Sequence, residues 1–251
     1  MSTGARPAGT ESEAAAAQAV QTMFDSIAPR YDLLNHLLSA NLDRLWWWRA
    51  ARSFRPILAR ADAAVLDVCC GTGDMTMSLL KRRPAHARPV LAVDFSPAML
   101  QRAAKKFAAH KCAADRVTVI EADALHLPLA DNSLDLVTSA FGFRNLVDYE
   151  AGLAEIFRVL RPGGELGILE FNQPQGLLGK AYLYYFQRVL PKMGRLISRN
   201  ASAYTYLPSS VEHFPQPPRM LQMLQAAGFE EASWTGYSLG VAGLYRARKP
   251  H

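Results

Sequence analysis

Cysteine is scarce in this chain: among 251 residues only Cys69, Cys70 and Cys112 carry thiols. Three cysteines, two of them adjacent, supply no disulfide framework. Neither a Cys-x-x-Cys pair nor a His/Cys cluster shows metal-site spacing, so no metal is expected. Reduced, buried thiols in a cytoplasmic setting are the reading that remains. Long apolar runs are missing too. No stretch of about 18 apolar residues occurs, so no membrane-spanning helix is expected. The first twenty residues lack the basic start and apolar centre of a secretory signal; rich in Ala, Gly, Thr, Ser and Glu, residues 1–20 read as a disordered leader. Lysine and arginine exceed acidic residues by 28 to 22, a net charge of +6. They are scattered rather than gathered into a stripe interleaved with aromatics, which argues against nucleic acid as a partner. What remains is ordinary globular composition, and residues 21–251 are expected to form a single domain.

The most informative stretch present is Val65-Leu66-Asp67-Val68-Cys69-Cys70-Gly71-Thr72-Gly73-Asp74. A short β-branched run reads as a buried strand, and it ends in a turn where Gly71 and Gly73 permit conformations and close approaches that a Cβ blocks. A second apolar run, Val90 to Asp94, ends in a carboxylate that can accept hydrogen bonds from both hydroxyls of a ribose. A dinucleotide fingerprint would place a third glycine at Thr76, and it is absent. Asp67 and Asp74 would repel a pyrophosphate but suit a cation and an amine. The loop thus resembles that of the class I S-adenosylmethionine-dependent methyltransferases, whose methyl donor carries a sulfonium and an ammonium and no phosphate. The resemblance implies S-adenosylmethionine as co-substrate, with Asp67, Gly71, Thr72, Gly73 and Asp94 around it.

The rest of the pattern fits an α/β chain. Strands are expected near 64–70, 90–94, 117–121, 134–139 and 165–171, alternating with helices near 74–83, 97–109 and 149–160. That order predicts a parallel, Rossmann-like sheet with helices on both faces. Arg161-Pro162-Gly163-Gly164 reads as a stop and turn. A helix at 217–227 precedes strands near 231–237 and 239–246, too close for both to be parallel. The expectation is therefore a seven-stranded, mostly parallel sheet with an antiparallel C-terminal strand. Residues 21–60 form an N-terminal helical cap loaded with Phe24, Tyr31, Trp46, Trp47 and Trp48. An aromatic insertion over about 172–216 fits either a substrate cover or packing onto the sheet.

Asp123-Ala124 ends the third strand, where a carboxylate can accept from an adenine amino group and a small residue leaves room for the ring. Arg144-Asn145 follows the fourth strand, at the same sheet edge as the glycine loop. An arginine there could stabilise an oxyanion developing on a ring hydroxyl, or could simply bind a carboxylate. Glu170 is a polar anchor or a structural carboxylate.

Several segments together carry a narrower resemblance: Tyr31 to Ser39 with Arg44-Leu45-Trp46, Phe141-Gly142-Phe143-Arg144-Asn145, Leu160 to Gly164, Leu169-Glu170-Phe171, Tyr206 to Val211 and Phe214-Pro215. They are similar to the ubiquinone/menaquinone biosynthesis C-methyltransferases from about Phe24 to Arg246. The resemblance implies C-methylation of a polyprenylated hydroquinone, closer in wording to the naphthoquinol (demethylmenaquinol) than the benzoquinol members. It places Thr72, Asp94, Asp123 and Ala124 at the methyl donor and Tyr31, Arg144 and Asn145 at the quinol as catalytic residues. A lipophilic quinol implies peripheral contact with the inner face of a membrane, and a homo-oligomer stays open. The other readings are a methyltransferase for a different lipophilic molecule and a non-catalytic S-adenosylmethionine- or lipid-binding protein. The chain departs from the family pattern at Asn41 and Asp43 (glycine and histidine), at Ala140 (serine), at Leu239 and at Tyr245 (histidine).

Overall fold

The computed structural model describes residues 4–5, 9–10, 12–28, 39, 41–110, 113–174 and 210–251. The first helix, α1 (Glu13–Ile27), is followed by α2 (Leu42–Ser53) and the short α3 (Arg55–Leu58). The sheet then builds through β1 (Val65–Val68), α4 (Asp74–Leu80), β2 (Val90–Asp94), α5 (Pro97–Ala109), β3 (Val117–Glu121), β4 (Leu134–Ala140), α6 (Tyr149–Val159) and β5 (Leu160–Phe171). It closes with α7 (Pro217–Ala226), β6 (Glu230–Tyr237) and β7 (Ala242–Arg248). The strand order is β3-β2-β1-β4-β5-β7-β6, with β7 antiparallel to both neighbours and the other pairings parallel. The expected seven strands and antiparallel C-terminal strand are all present.

Local chemistry explains the element ends. Ser96 caps α5 by accepting from the Met99 N–H, with Pro97 in the first turn, and Asp148 caps α6 by accepting from Ala151. β1 and β4 have no exposed side chain except the half-buried Ala140, because helices cover both faces of the parallel centre. One apolar cluster, on the α2 face, holds Trp46, Phe54, Leu136 and Leu169; the cluster on the other face holds Leu66, Val137, Leu153 and Ile168.

Two expectations need correction. Residues 13–20 are helical rather than a disordered leader. Ser12 caps α1 through the Ala15 N–H, and Ala16, Val20 and Phe24 recur at four-residue spacing as its buried stripe. The helix stops at Val159 as expected, but the strand expected from residue 165 already starts at Leu160 beside Leu134; Arg161-Pro162-Gly163-Gly164 bulges out within it, and pairing resumes at Glu165 beside Leu136. Gly163 takes φ +76° there, and its N–H donates to the Lys249 carbonyl. The Asn41 departure also finds its reason: its backbone is left-handed at φ +60°, a conformation asparagine tolerates better than most residues.

Phe54, at the α2–α3 junction, seats the N-terminal helices on the sheet. Its ring lies where a Cβ on Gly167 of β5 would stand, 2.4 Å away. Gly167→Ala is therefore expected to cost about 1–3 kcal/mol by overpacking. Denaturant titration measures that loss, and a smaller side chain at Phe54 should recover part of it in the double variant.

Candidate functional site

The turns that follow β1 and β4 meet at the carboxyl edge of the sheet. Gly142 lies so close to Cys69 that an added Cβ would stand 2.4 Å from the cysteine Cβ. Cys69 and Phe141 both adopt left-handed backbone, at φ +54° and +57°, local strain of the kind held at sites by surrounding structure. Burial, with Asp94 and Asp67 adding to it, pushes both the Cys69 and Cys70 thiols well above their usual range, so neither is a ready nucleophile.

A cavity of about 400 Å³ opens beside these turns, walled by Val68, Gly71, Asp94, Asp123, Phe141 and Asn145 among others. A small lobe continues past Gly71 to Thr72, Asp74, Trp47 and Asp67. Asp94 is buried at the cavity wall and accepts from the Gly71 N–H at 2.8 Å and the Ser96 N–H at 3.0 Å. Burial raises its pKa to about 6. Asp67 is wholly buried behind the loop, accepting from the hydroxyls of Thr76 at 2.6 Å and Thr138 at 3.0 Å, and burial lifts it to about 7. It thus braces the loop between α4 and β4. Asp123, largely exposed, accepts from the Leu125 N–H, and Ala124 beside it is buried.

The cavity fits an adenosine carrying a cation better than a dinucleotide. Among its described lining residues are the carboxylates Asp94, Glu121 and Asp123, and no lysine or arginine lines either lobe. A pyrophosphate would find no counter-charge there. Lys106 of α5 reaches the edge of the small lobe, its ammonium donating to Asp74 at 2.9 Å and to the Thr72 hydroxyl at 3.2 Å.

Arg144 and Asn145, adjacent in sequence, part company in space. Asn145 lines the cavity. Arg144 is 3 % exposed, and its guanidinium donates to Glu170 on β5 at 2.7 Å, to the Phe141 carbonyl and, through Nε, to Ser210 at 3.3 Å. The Arg144 N–H donates to the second Glu170 oxygen at 3.2 Å. The Phe-Gly-Phe-Arg-Asn turn, the Leu-Glu-Phe strand end and the late segment at Ser210 therefore converge on one buried ion pair. Trp46 and Trp47 of α2 pack against Phe141, and Trp46 also meets Phe171 edge-on at 5.9 Å. At the Tyr245 departure the buried phenol donates to Asn172 at 2.5 Å, and burial pushes its pKa up. Tyr31 and residues 175–209 of the expected insertion lie outside the described residues.

The cover over the cavity is α1, of which the expected helical cap took in only the part from residue 21 on. Ala14, Ala17, Gln18, Gln21 and Phe24 line one wall. The Gln21 amide donates to the Phe95 carbonyl at 2.7 Å, the Ser96 hydroxyl to Asp25 at 2.5 Å, and Phe24 meets Phe95 edge-on. The four-residue apolar repeat after a serine cap was the available signal; an alanine-rich run obscured it. Glu121 and Lys106 were also missed.

Strand order, glycine turn and acidic cavity define the molecule as a methyltransferase of the S-adenosylmethionine-dependent, Rossmann-like class. A solved methyltransferase from Thermotoga maritima, described as a possible histamine N-methyltransferase, has the same fold at TM-score 0.62 and 19% identity, with 92% of this chain and 99% of that one covered. The chain belongs to the ubiE/COQ5 methyltransferase family, whose model matches residues 12–249. Similar curated relatives are the demethylmenaquinone methyltransferases of Deinococcus radiodurans, 49% identical over 91% of each chain, and Thermus thermophilus, 47% identical over 91% of this chain and all of that one.

The raised carboxyls give the site a pH signature. A carboxyl whose pKa rises on folding favours the folded state below its unfolded value, near 4, and loses that contribution as pH rises through its folded value. The Asp67 contribution to stability is thus expected to fall between about pH 4 and 7. Asp67→Asn should flatten this slope relative to the unaltered protein in denaturant titrations across that range. The latch on α1 gives a second outcome: Gln21→Ala with Asp25→Ala should weaken S-adenosylhomocysteine binding severalfold by calorimetry, with little change in stability.

Proposed function

We propose that this methyltransferase transfers a methyl group from S-adenosylmethionine to a ring carbon of a polyprenylated naphthoquinol, converting a demethylmenaquinol to a menaquinol. One observation carries the donor: a cavity at the carboxyl ends of β1 to β3 whose described lining includes Asp94, Glu121 and Asp123 and no lysine or arginine. The acceptor is supported by the 49% and 47% identical relatives, which are demethylmenaquinone methyltransferases. When bound, the donor supplies an electrophilic methyl on sulfonium, free of phosphate and metal chemistry.

The chain's own groups do the rest. Asp94 keeps lone pairs for ribose hydroxyls beyond the two N–H bonds it accepts, and Asp123 with Ala124 would hold the adenine, the carboxylate accepting from its amino group. Gly71 and Thr72 line the space for the donor, Gly73 lets the turn pass against the Phe107 ring, and Asp67 acts through the loop it braces. Methylation at an aromatic carbon needs an acceptor hydroxyl deprotonated, so that charge reaches the carbon, followed by loss of the ring proton. Asn145, on the cavity wall, is the group we place at that hydroxyl; Tyr31, outside the described residues, is assigned to the quinol by the family resemblance alone. Arg144 serves at the same end, its pairing with Glu170 fixing the turn that presents Asn145. The wall of Trp47, Phe141 and α1 excludes water. Work at an apolar quinol brings the protein to a membrane face, consistent with a chain in which, among the described residues, no helix is long and apolar enough to cross one.

Three measurements test the reading. Cells lacking the protein should accumulate the demethylated naphthoquinone; an unchanged quinone pool, or loss confined to benzoquinones, overturns the acceptor. Asn145→Ala should lower kcat about 10²-fold or more while leaving S-adenosylhomocysteine affinity near that of the unaltered protein. Arg144→Ala should lose turnover together with stability, about 3–5 kcal/mol, because it strands a buried carboxylate.

A further inference from the structure

Helix α2 has two unlike faces. Inward, Trp46 and Trp47 are buried against Phe141 at the candidate site. Outward, Leu42 is 41 % exposed, Leu45 46 % and Trp48 46 %, three of the four large apolar side chains left exposed among the described residues. The fourth is Leu239, 77 % exposed at the tip of the turn before β7. Its backbone is left-handed, at φ +60°, and the neighbouring Ser238 hydroxyl accepts from the Trp46 indole N–H at 2.9 Å, so the turn is fastened to α2. All four exposed apolar groups thus belong to α2 and the turn tied to it.

Basic groups frame them. Arg44, Arg49 and Arg52 are exposed on α2, and Arg55 follows at once on α3. Arg52 and Arg82 place their guanidiniums over the Trp48 ring, at 5.2 and 5.6 Å. The one acidic residue of α2, Asp43, is buried. A helix showing leucine and tryptophan between arginines, with no exposed acid, has the chemistry of an interfacial helix at an anionic bilayer. Its rings and leucines enter the acyl boundary while its guanidiniums stay at the phosphates.

We propose that the outer face of α2, extended by Leu239, is the surface on which this protein docks on an anionic lipid bilayer. The same helix then has lipid on one side and the site on the other, separated by the thickness of Trp46 and Trp47. The purpose of the surface rests on the quinol reading; its existence does not.

The test uses the full chain and vesicles of phosphatidylcholine with or without phosphatidylglycerol, read by co-sedimentation. Binding is expected to phosphatidylglycerol-containing vesicles and to weaken with added salt. Leu45→Glu and, separately, Leu42→Ser with Leu239→Ser should each lower the bound fraction about tenfold, while turnover of a short-chain, water-soluble demethylated naphthoquinol stays unchanged. Binding by neither vesicle type, or equal binding by the variants, overturns the proposal. So does self-association in sedimentation velocity that Leu45→Glu abolishes while vesicle binding persists, since the face would then seat a second copy. Vesicle binding as described, with no turnover of the short-chain quinol, would overturn the acceptor instead and leave the docking surface standing.

Discussion

The carboxyl edge of this molecule is organised around a buried ion pair between Arg144 and Glu170. Removing both charges from water is costly, and their attraction offsets that cost only when the remaining polar atoms are also bonded. Here they are: both Glu170 oxygens are engaged, and the guanidinium reaches the Phe141 carbonyl and Ser210 as well. The pair therefore selects one arrangement of three segments distant in sequence. A half-made version would leave a naked charge in the core, so the turn after β4, the end of β5 and the start of the described C-terminal segment at Ser210 are fixed together or not at all.

Electrostatics divide the site into two unlike ends. Around β1, β2 and β3 the chain gathers carboxylates whose burial already disfavours their charge. That is tolerable when the intended guest is cationic, and it disfavours phosphate-bearing cofactors that other sheets of this class hold. At the other end, beyond Phe141, Trp46, Trp47 and Phe171 form an aromatic wall. Acidic and aromatic surfaces are thereby separated along the strand ends, as a cationic donor and an apolar acceptor under the proposed function would require. Arg144 lies against Phe171 of that wall, neutralised by Glu170.

Much of the fold was readable because β-branched runs such as Val90–Asp94 and Val117–Glu121 have no competing helical pattern, and caps such as Ser96-Pro97 state where helices begin. The glycine turn and Asp94 were readable for the same local reason. What escaped was decided over long distances. Arg161 to Gly164 mark the end of α6 but look like a loop ahead of the strand, yet Lys249, far along the chain, bonds both Gly163 and Gly164 and folds them into β5. The alanines of α1 carry too little hydrophobic contrast to announce a helix, and only docking on Phe95 and Met99 gives them a buried side. The sequence placed Arg144 and Asn145 on one turn; that one is turned into the core and the other toward the cavity depends on Glu170, which no spacing encodes.

The antiparallel placement of β7 has a bearing on how the protein is made. β7 comes after every other strand in the chain, yet it lies between β5 and β6. While the ribosome is still short of Ala242, one side of β5 has no neighbour and β6, whose sole partner is β7, has nothing to pair with. The nascent chain consequently emerges with an open strand edge at the middle of its future sheet, the kind of edge that recruits other chains. Closure is a late event, and translation stalled before that point would release a template for aggregation rather than a smaller enzyme.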